Sequence, residues 1–170
     1  IGYLDVTDFV DVWPLASPWT GFTNLAFSTG AASMALPNDA TFGAMLGGWM
    51  NDGLYAIFSI TDMNSNPRDP FDSLNTFFNT NEYYTSLELG WTPSKGEFYS
   101  DNVHVTLWHV DAVTATGNPD GWGANFSIVH WVDDTWMPFF RGGWAEDGGS
   151  LLETSLNAGV VIPAGKGSDD

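Results

Sequence analysis

The chain has 170 residues, 44% of them hydrophobic, which is enough for one domain with a buried interior and excludes a disordered chain. Four Lys and Arg against 21 Asp and Glu give a formal net charge of −17. Such a surface repels nucleic-acid phosphates and anionic headgroups, so nucleic acid is excluded as a partner, and the lack of Cys excludes disulfides, thiol nucleophiles and Cys-ligated zinc.

Period-two alternation between turn signals predicts about eight strands: Ile1–Asp5, Phe42–Met50, Leu54–Thr61, Glu82–Thr92, Asn102–Asp111, Trp122–Val132, Trp136–Ala145 and Leu151–Ile162. Most are near the roughly 9–11 residues that a tilted strand needs to cross a bilayer, where a soluble strand averages about five or six. The first strand starts without a leader pattern. The tail at 163–170, PAGKGSDD, is polar, and the chain is expected to be a piece of a longer protein.

Connections alternate in length along the chain. Residues 6–40 form the longest, expected to be an external loop region with a short helical piece near Asp8–Leu15. Asn51-Asp52-Gly53, Pro93 to Ser100 and Asp133-Asp134-Thr135 are short, whereas Asp62 to Asn81 and Ala112 to Gly121 are longer. Short turns on one rim and long loops on the other are the pattern of outer-membrane barrels.

One face of these strands is apolar. It is assigned Leu87, Leu89, Trp91, Val103, Val105, Leu107, Trp122, Ala124, Phe126, Ile128, Phe140, Gly142 and Trp144. Tyr83, Trp91, Trp122, Trp136 and Trp144 fall near strand ends on that face, as aromatic girdles at two membrane interfaces do. The last hairpin, WMPFFRGGWAEDGGSLLETSLNAGVVI, turns at Glu146–Gly149 and sets Leu152, Leu156, Ala158, Val160 and Ile162 against Glu153, Ser155 and Asn157.

GWTPS (Gly90–Ser94), DNVHVTLWHVD (Asp101–Asp111), PDGWGANFS (Pro119–Ser127) and WMPFFRGGWAEDGGSLLETSLNAG (Trp136–Gly159) resemble the OprB-like carbohydrate-selective porins, as do GYLDVTDFVD and the later LAFSTG. The similarity keeps the order of segments over nearly the whole chain. It implies an all-β fold, an antiparallel up-and-down transmembrane β-barrel of roughly sixteen strands, of which this chain supplies about eight in a single partial domain spanning 1–170. It further implies the outer membrane of a Gram-negative bacterium, carbohydrate solutes and outer-membrane lipid as partners, passive diffusion, and no cofactor. The sequence carries no signal of oligomeric state.

A sugar pore needs polar side chains that exchange with water and aromatic faces for pyranose C–H surface. The lumen-facing parity carries Arg141, Glu88, His104, Thr106, Trp108, Asn125, Glu153 and Asn157. Arg141 stands out as the basic residue inside a strand, expected to meet solute or to pair with Glu88 or Glu153. Trp108 is expected to pack rather than to stack on sugar. His104, His109 and His130 form no metal-ligand spacing.

Asp62-Met63-Asn64-Ser65-Asn66 matches the first half of a calcium loop, but Pro67 and Ser73 stand where Gly and Glu are required. Asp62, Asp69 and Asp72 remain weak candidates for Ca²⁺ in an acidic external loop. No nucleophile elbow, Walker loop or dinucleotide fingerprint occurs, so no enzyme is expected. The alternative architecture is a soluble β-sandwich, a lectin-like carbohydrate-binding module whose acidic loops could bind calcium.

Overall fold

Among the described residues, eight antiparallel strands follow one another in a single open sheet, each bonded to its neighbours in sequence. The computed structural model describes residues 1–17, 21–24, 30–38, 40–66, 68–69, 71–133 and 135–162. Residues 25–29 of the LAFSTG segment, Pro67, Asp134 and the tail at 163–170 lie outside that set.

The strands are β1 Gly2–Leu4, β2 Thr41–Trp49, β3 Leu54–Asp62, β4 Tyr83–Trp91, β5 Asn102–Val110, β6 Gly121–Val129, β7 Met137–Asp147 and β8 Thr154–Val161. All eight expected strands form. The two stacked sheets of the sandwich alternative do not: every strand belongs to one meander without a crossover. The links after β2, β4 and β6 share one rim, and those after β1, β3, β5 and β7 share the other.

Side-chain amides and left-handed residues make the tight turns. Asn51 Oδ1 accepts from the N–H groups of Gly53 and Leu54 at 2.9 and 2.7 Å, closing the β2–β3 link. The β7–β8 link runs through Asp147, Gly148 and Gly149 at φ 56, 73 and 78, a run that glycine adopts without steric cost.

Two features were not legible in the alternation. A short helix, α1 Asp72–Asn79, interrupts the β3–β4 connection. Its Phe77 and Phe78 pack on Phe42, and Phe77 also meets Tyr83. The helical piece expected near Asp8–Leu15 is instead a single 3-10 turn at Val6–Asp8, capped by the Asp5 side chain. Asp11, at φ 56, takes the chain out of any helical path.

One face of the sheet is apolar and exposed, and the other buries polar side chains among apolar ones. One row of cross-strand partners runs Leu89, Val105, Phe126, Gly142, Leu156 across β4 to β8. Leu89, Val105 and Leu156 are 51, 47 and 66% exposed. The row beside it runs Glu88, Thr106, Asn125, Gly143, Ser155, and its Glu88, Thr106 and Asn125 are buried. Tyr83, Trp122 and Trp144 end the apolar band at the long-loop rim, and Trp91 and Trp136 end it at the short-turn rim.

What buries the polar face is the chain itself. The segment after β1 lies across it instead of standing off the rim. Val6, Phe9, Val10, Met34 and Ala35 pack on Tyr55, Ile57, Tyr84, Trp108, Val110 and Ala145. A second cluster joins Trp13 to Val129, Met137 and Phe139.

Candidate functional site

Asp11 sits in the run FVDVWPL, an acid among apolar residues, and its position explains why the segment stays down. Its backbone N–H donates to Glu88 Oε2 at 2.7 Å. Its carboxylate takes Arg141 Nη2 on one oxygen and faces His104 Nε2 at 3.0 Å with the other. One residue of the segment thereby ties β4, β5 and β7 together. The left-handed backbone at Asp11 is a conformation that Asp tolerates better than most residues, and here it directs both N–H and carboxylate at the sheet.

Each member of the cluster has further partners. Glu88, fully buried, also accepts from Tyr55 Oη at 3.0 Å and Thr106 Oγ1 at 2.8 Å. His104 lies between Asp11 and Asn102, whose Oδ1 is 3.0 Å from Nδ1. The Asn102 amide cannot turn over, because its Nδ2 donates to the carbonyls of Val12 and Phe98 at 3.0 and 2.7 Å. Both ring nitrogens therefore face oxygen atoms at hydrogen-bond distance. The Arg141 guanidinium is thus paired with the Asp11 carboxylate and the Glu88 carboxyl is held by three donors, the condition under which buried charged and polar groups are tolerated.

Arg141 is also covered from the side. Its Cζ lies 4.3 Å from the centre of the Trp13 ring, a cation–π contact in a dry setting. Nη1 is buried without a hydrogen-bond partner among the described residues, and so is the hydroxyl of Ser127, its cross-strand partner.

The sheet's second polar tie is uncharged. Trp108 Nε1 donates to Asn125 Oδ1 at 3.0 Å, and Asn125 Nδ2 donates to Ser33 Oγ at 3.1 Å. Ser33 in turn meets Ser155 Oγ at 2.8 Å, and the N–H of Leu152 donates to Ala32 O at 2.7 Å. Trp108 lies flat over Gly123, where a Cβ would fall 2.5 Å from the indole, so the ring fits only because position 123 has no side chain.

These contacts redistribute the expected pore-lining set. Glu88, His104, Thr106, Trp108, Asn125 and Arg141 all lie on one face, and all are buried beneath the segment. Arg141 pairs with Asp11 rather than with Glu88 or Glu153. Glu153 is not within a strand at all: it precedes β8, is exposed, and gives its backbone carbonyl to the N–H of Ala145. Asn157 is half-buried on β8, directly opposite Arg141. Asp11, Tyr55, Asn102 and Ser33 were not foreseen. A lone acid in an apolar run was the available signal for Asp11.

The acidic loop residues do not converge. Asp62 ends β3 and accepts from the Asn64 N–H and the Thr76 hydroxyl, while Asp72 opens α1 and the Asp69 N–H bonds Asn66 O. Among the described residues, no group of three or more His, Asp or Glu is placed to share a metal ion. His109 and His130 sit singly beside Asp111 and Asp101.

Glu82 anchors the long-loop rim, accepting from the Thr114 N–H and hydroxyl and from Asn64 Nδ2. Burial acts to raise its carboxyl, but these hydrogen bonds outweigh it and hold the group below the usual carboxylate range. A depressed folded value means stability that is present above the ordinary Glu range and is lost as pH falls through the folded value. Hydrogen exchange at the Thr114 amide is expected to accelerate across that acid window, and Glu82→Gln is expected to abolish the pH dependence.

No protein-family model matches the chain, and searches of curated proteins and of solved structures return no match either.

Proposed function

We propose that this chain is part of an outer-membrane porin that lets carbohydrates diffuse passively, its eight strands forming about half of a barrel of roughly sixteen. The single observation that carries the reading is the exposed apolar face of the sheet, backed by a face that buries charged side chains. Leu87, Leu89, Val105, Leu107, Ile128, Phe140 and Leu156 are exposed on one face, while Glu88, His104, Thr106 and Arg141 are buried on the other. In water, such a contiguous exposed apolar band would be an association hazard. In a bilayer it is the required surface, and the strand lengths of mostly nine residues suit a tilted crossing.

The aromatic ends of the band support the same reading. Trp122 and Trp144 meet edge to face at 4.8 Å at one rim, and Trp91 and Trp136 stand at the other. Amphipathic rings favour the headgroup level. On this view the segment after β1 narrows the aqueous side, held by Asp11, and sugars pass beside it. The resemblance to carbohydrate-selective porins, carried by the motifs of β4 to β8, supplies the solute class.

Reconstitution into liposomes tests the function. Vesicles carrying the protein are expected to swell in hexose solution, and more slowly in a trisaccharide of equal osmolarity. Swelling no faster than in protein-free vesicles would contradict the proposal.

A further inference from the structure

Part of the inner face is left uncovered by the segment, near the short-turn rim. There a cleft of about 280 Å³ opens between Phe9, β2 and the β4–β5 link. Its walls are aromatic. Trp49 meets Tyr55 and Phe98 edge to face at 5.6 and 6.2 Å, and Phe98 meets Tyr99 at 4.8 Å. These rings brace one another, so the cleft is built rather than collapsed.

Its floor is a glycine that internal packing does not call for. A Cβ on Gly47 would meet nothing closer than 3.5 Å, in ordinary contact with Ile57 and the Met45 sulfur. The contrast with Gly90 and Gly123 is sharp, since there a Cβ would strike the Tyr55 or Trp108 ring. Glycine in a strand interior weakens it unless something approaches closely. At Gly47 nothing within the described residues does, and a side chain would project into the cleft.

Around this apolar floor stand hydrogen-bond donors with no acceptor among the described residues. They are the indole N–H of Trp49 and the hydroxyl of Tyr99, both of which line the cleft, and behind them the Lys95 ammonium lies 5.7 Å from the centre of the Trp49 ring. Tyr99 is 62% exposed and Trp49 38%, so both can be reached from solution. A flat apolar surface rimmed by donors suits a molecule with one C–H face and a periphery of hydroxyls. An acyl chain would leave the donors without partners.

We propose that this cleft is a binding subsite for a neutral pyranose, with the ring C–H face over Gly47 against Trp49 and Tyr99. That the ligand is a sugar rests on the porin reading, whereas the site itself rests on the cleft. Saturation-transfer NMR with methyl α-D-glucopyranoside, on the full chain in a sugar-free detergent, tests it directly. Saturable binding is expected, with the strongest transfer at the axial ring C–H protons. Tyr99→Ala should weaken it about tenfold, the order removed with one aromatic stacking partner. Gly47→Val should weaken it at least as much by filling the floor, while favouring the strand. Leu89→Ala, on the opposite face, should leave it unchanged.

No saturable transfer, or equal affinity in Gly47→Val, Tyr99→Ala and the parent, would overturn the proposal. So would displacement of a hexanol probe that the glycoside cannot match, which would mark an acyl-chain site. Binding in micelles needs no transport. Binding without liposome swelling would leave the subsite standing and remove the pore, and swelling without binding would do the reverse.

Discussion

Replacing Asp11 with alanine is expected to destabilise the protein by about 3–5 kcal/mol, the cost of removing one partner from a buried ion pair. Arg141 and Asp11 are 5 and 3% exposed, so solvent does not screen the loss. The substitution removes the carboxylate that pairs with Arg141 Nη2 and faces His104 Nε2, and leaves the buried guanidinium without its ion-pair partner. Alanine also tolerates the left-handed backbone at position 11 poorly. Asp11→Asn separates the two effects, because Asn accepts φ > 0 and keeps one oxygen acceptor while losing the charge. Its loss should be smaller. Urea unfolding gives the magnitude, and hydrogen exchange at Val6 to Val12 shows where it acts. Protection should fall there before it falls in β4 or β5. Unchanged protection of the segment in Asp11→Ala would mean that the apolar clusters alone hold it down.

Leu89→Arg gives the other large effect, and its sign depends on the solvent that the outer face meets. Leu89 lies mid-strand in the row shared with Val105 and Phe126. If that row lies near the bilayer midplane, Arg costs about 2–4 kcal/mol of folding stability in lipid. In water the same change on a half-exposed Leu would fall within about 0.5 kcal/mol of neutral and would improve solubility. Urea titration of folding into liposomes measures it, with Leu89→Ala as the control for lost packing. A stability unaffected by Arg would count against lipid contact.

The strands were legible because their period is two and their turns carry Asn51, Gly53, Asp133 and Gly148. A register error of one residue would have inverted every face, and none occurred between β4 and β8. The segment over the polar face was not legible, for a physical reason. Residues 6–40 lack a sustained period, so alternation has nothing to report, and what fixes their path is tertiary. Asp11 reaches Arg141 across 130 positions and Glu88 across 77. A polar strand face tells that its residues avoid lipid. It does not tell whether water or another stretch of the chain meets them, so Glu88 and Arg141 were assigned to the right face with the wrong neighbours. Helix α1 escaped for a related reason: it is eight residues long, and an apolar pattern so short is ambiguous in sequence.

The absence of Cys makes a direct test of the outer face available, because single cysteines can be introduced and spin-labelled without background. Labels placed one at a time from Tyr84 to Trp91, with the protein in liposomes, report collision with oxygen, which concentrates in lipid, and with an aqueous nickel complex. A two-residue period is expected along β4. Positions 87 and 89 should be open to oxygen and closed to nickel, positions 86 and 88 closed to oxygen, and position 105 on β5 in phase with 89. Equal access of the nickel complex to 87, 89 and 105, or failure of the protein to enter the bilayer, would contradict a lipid-facing sheet.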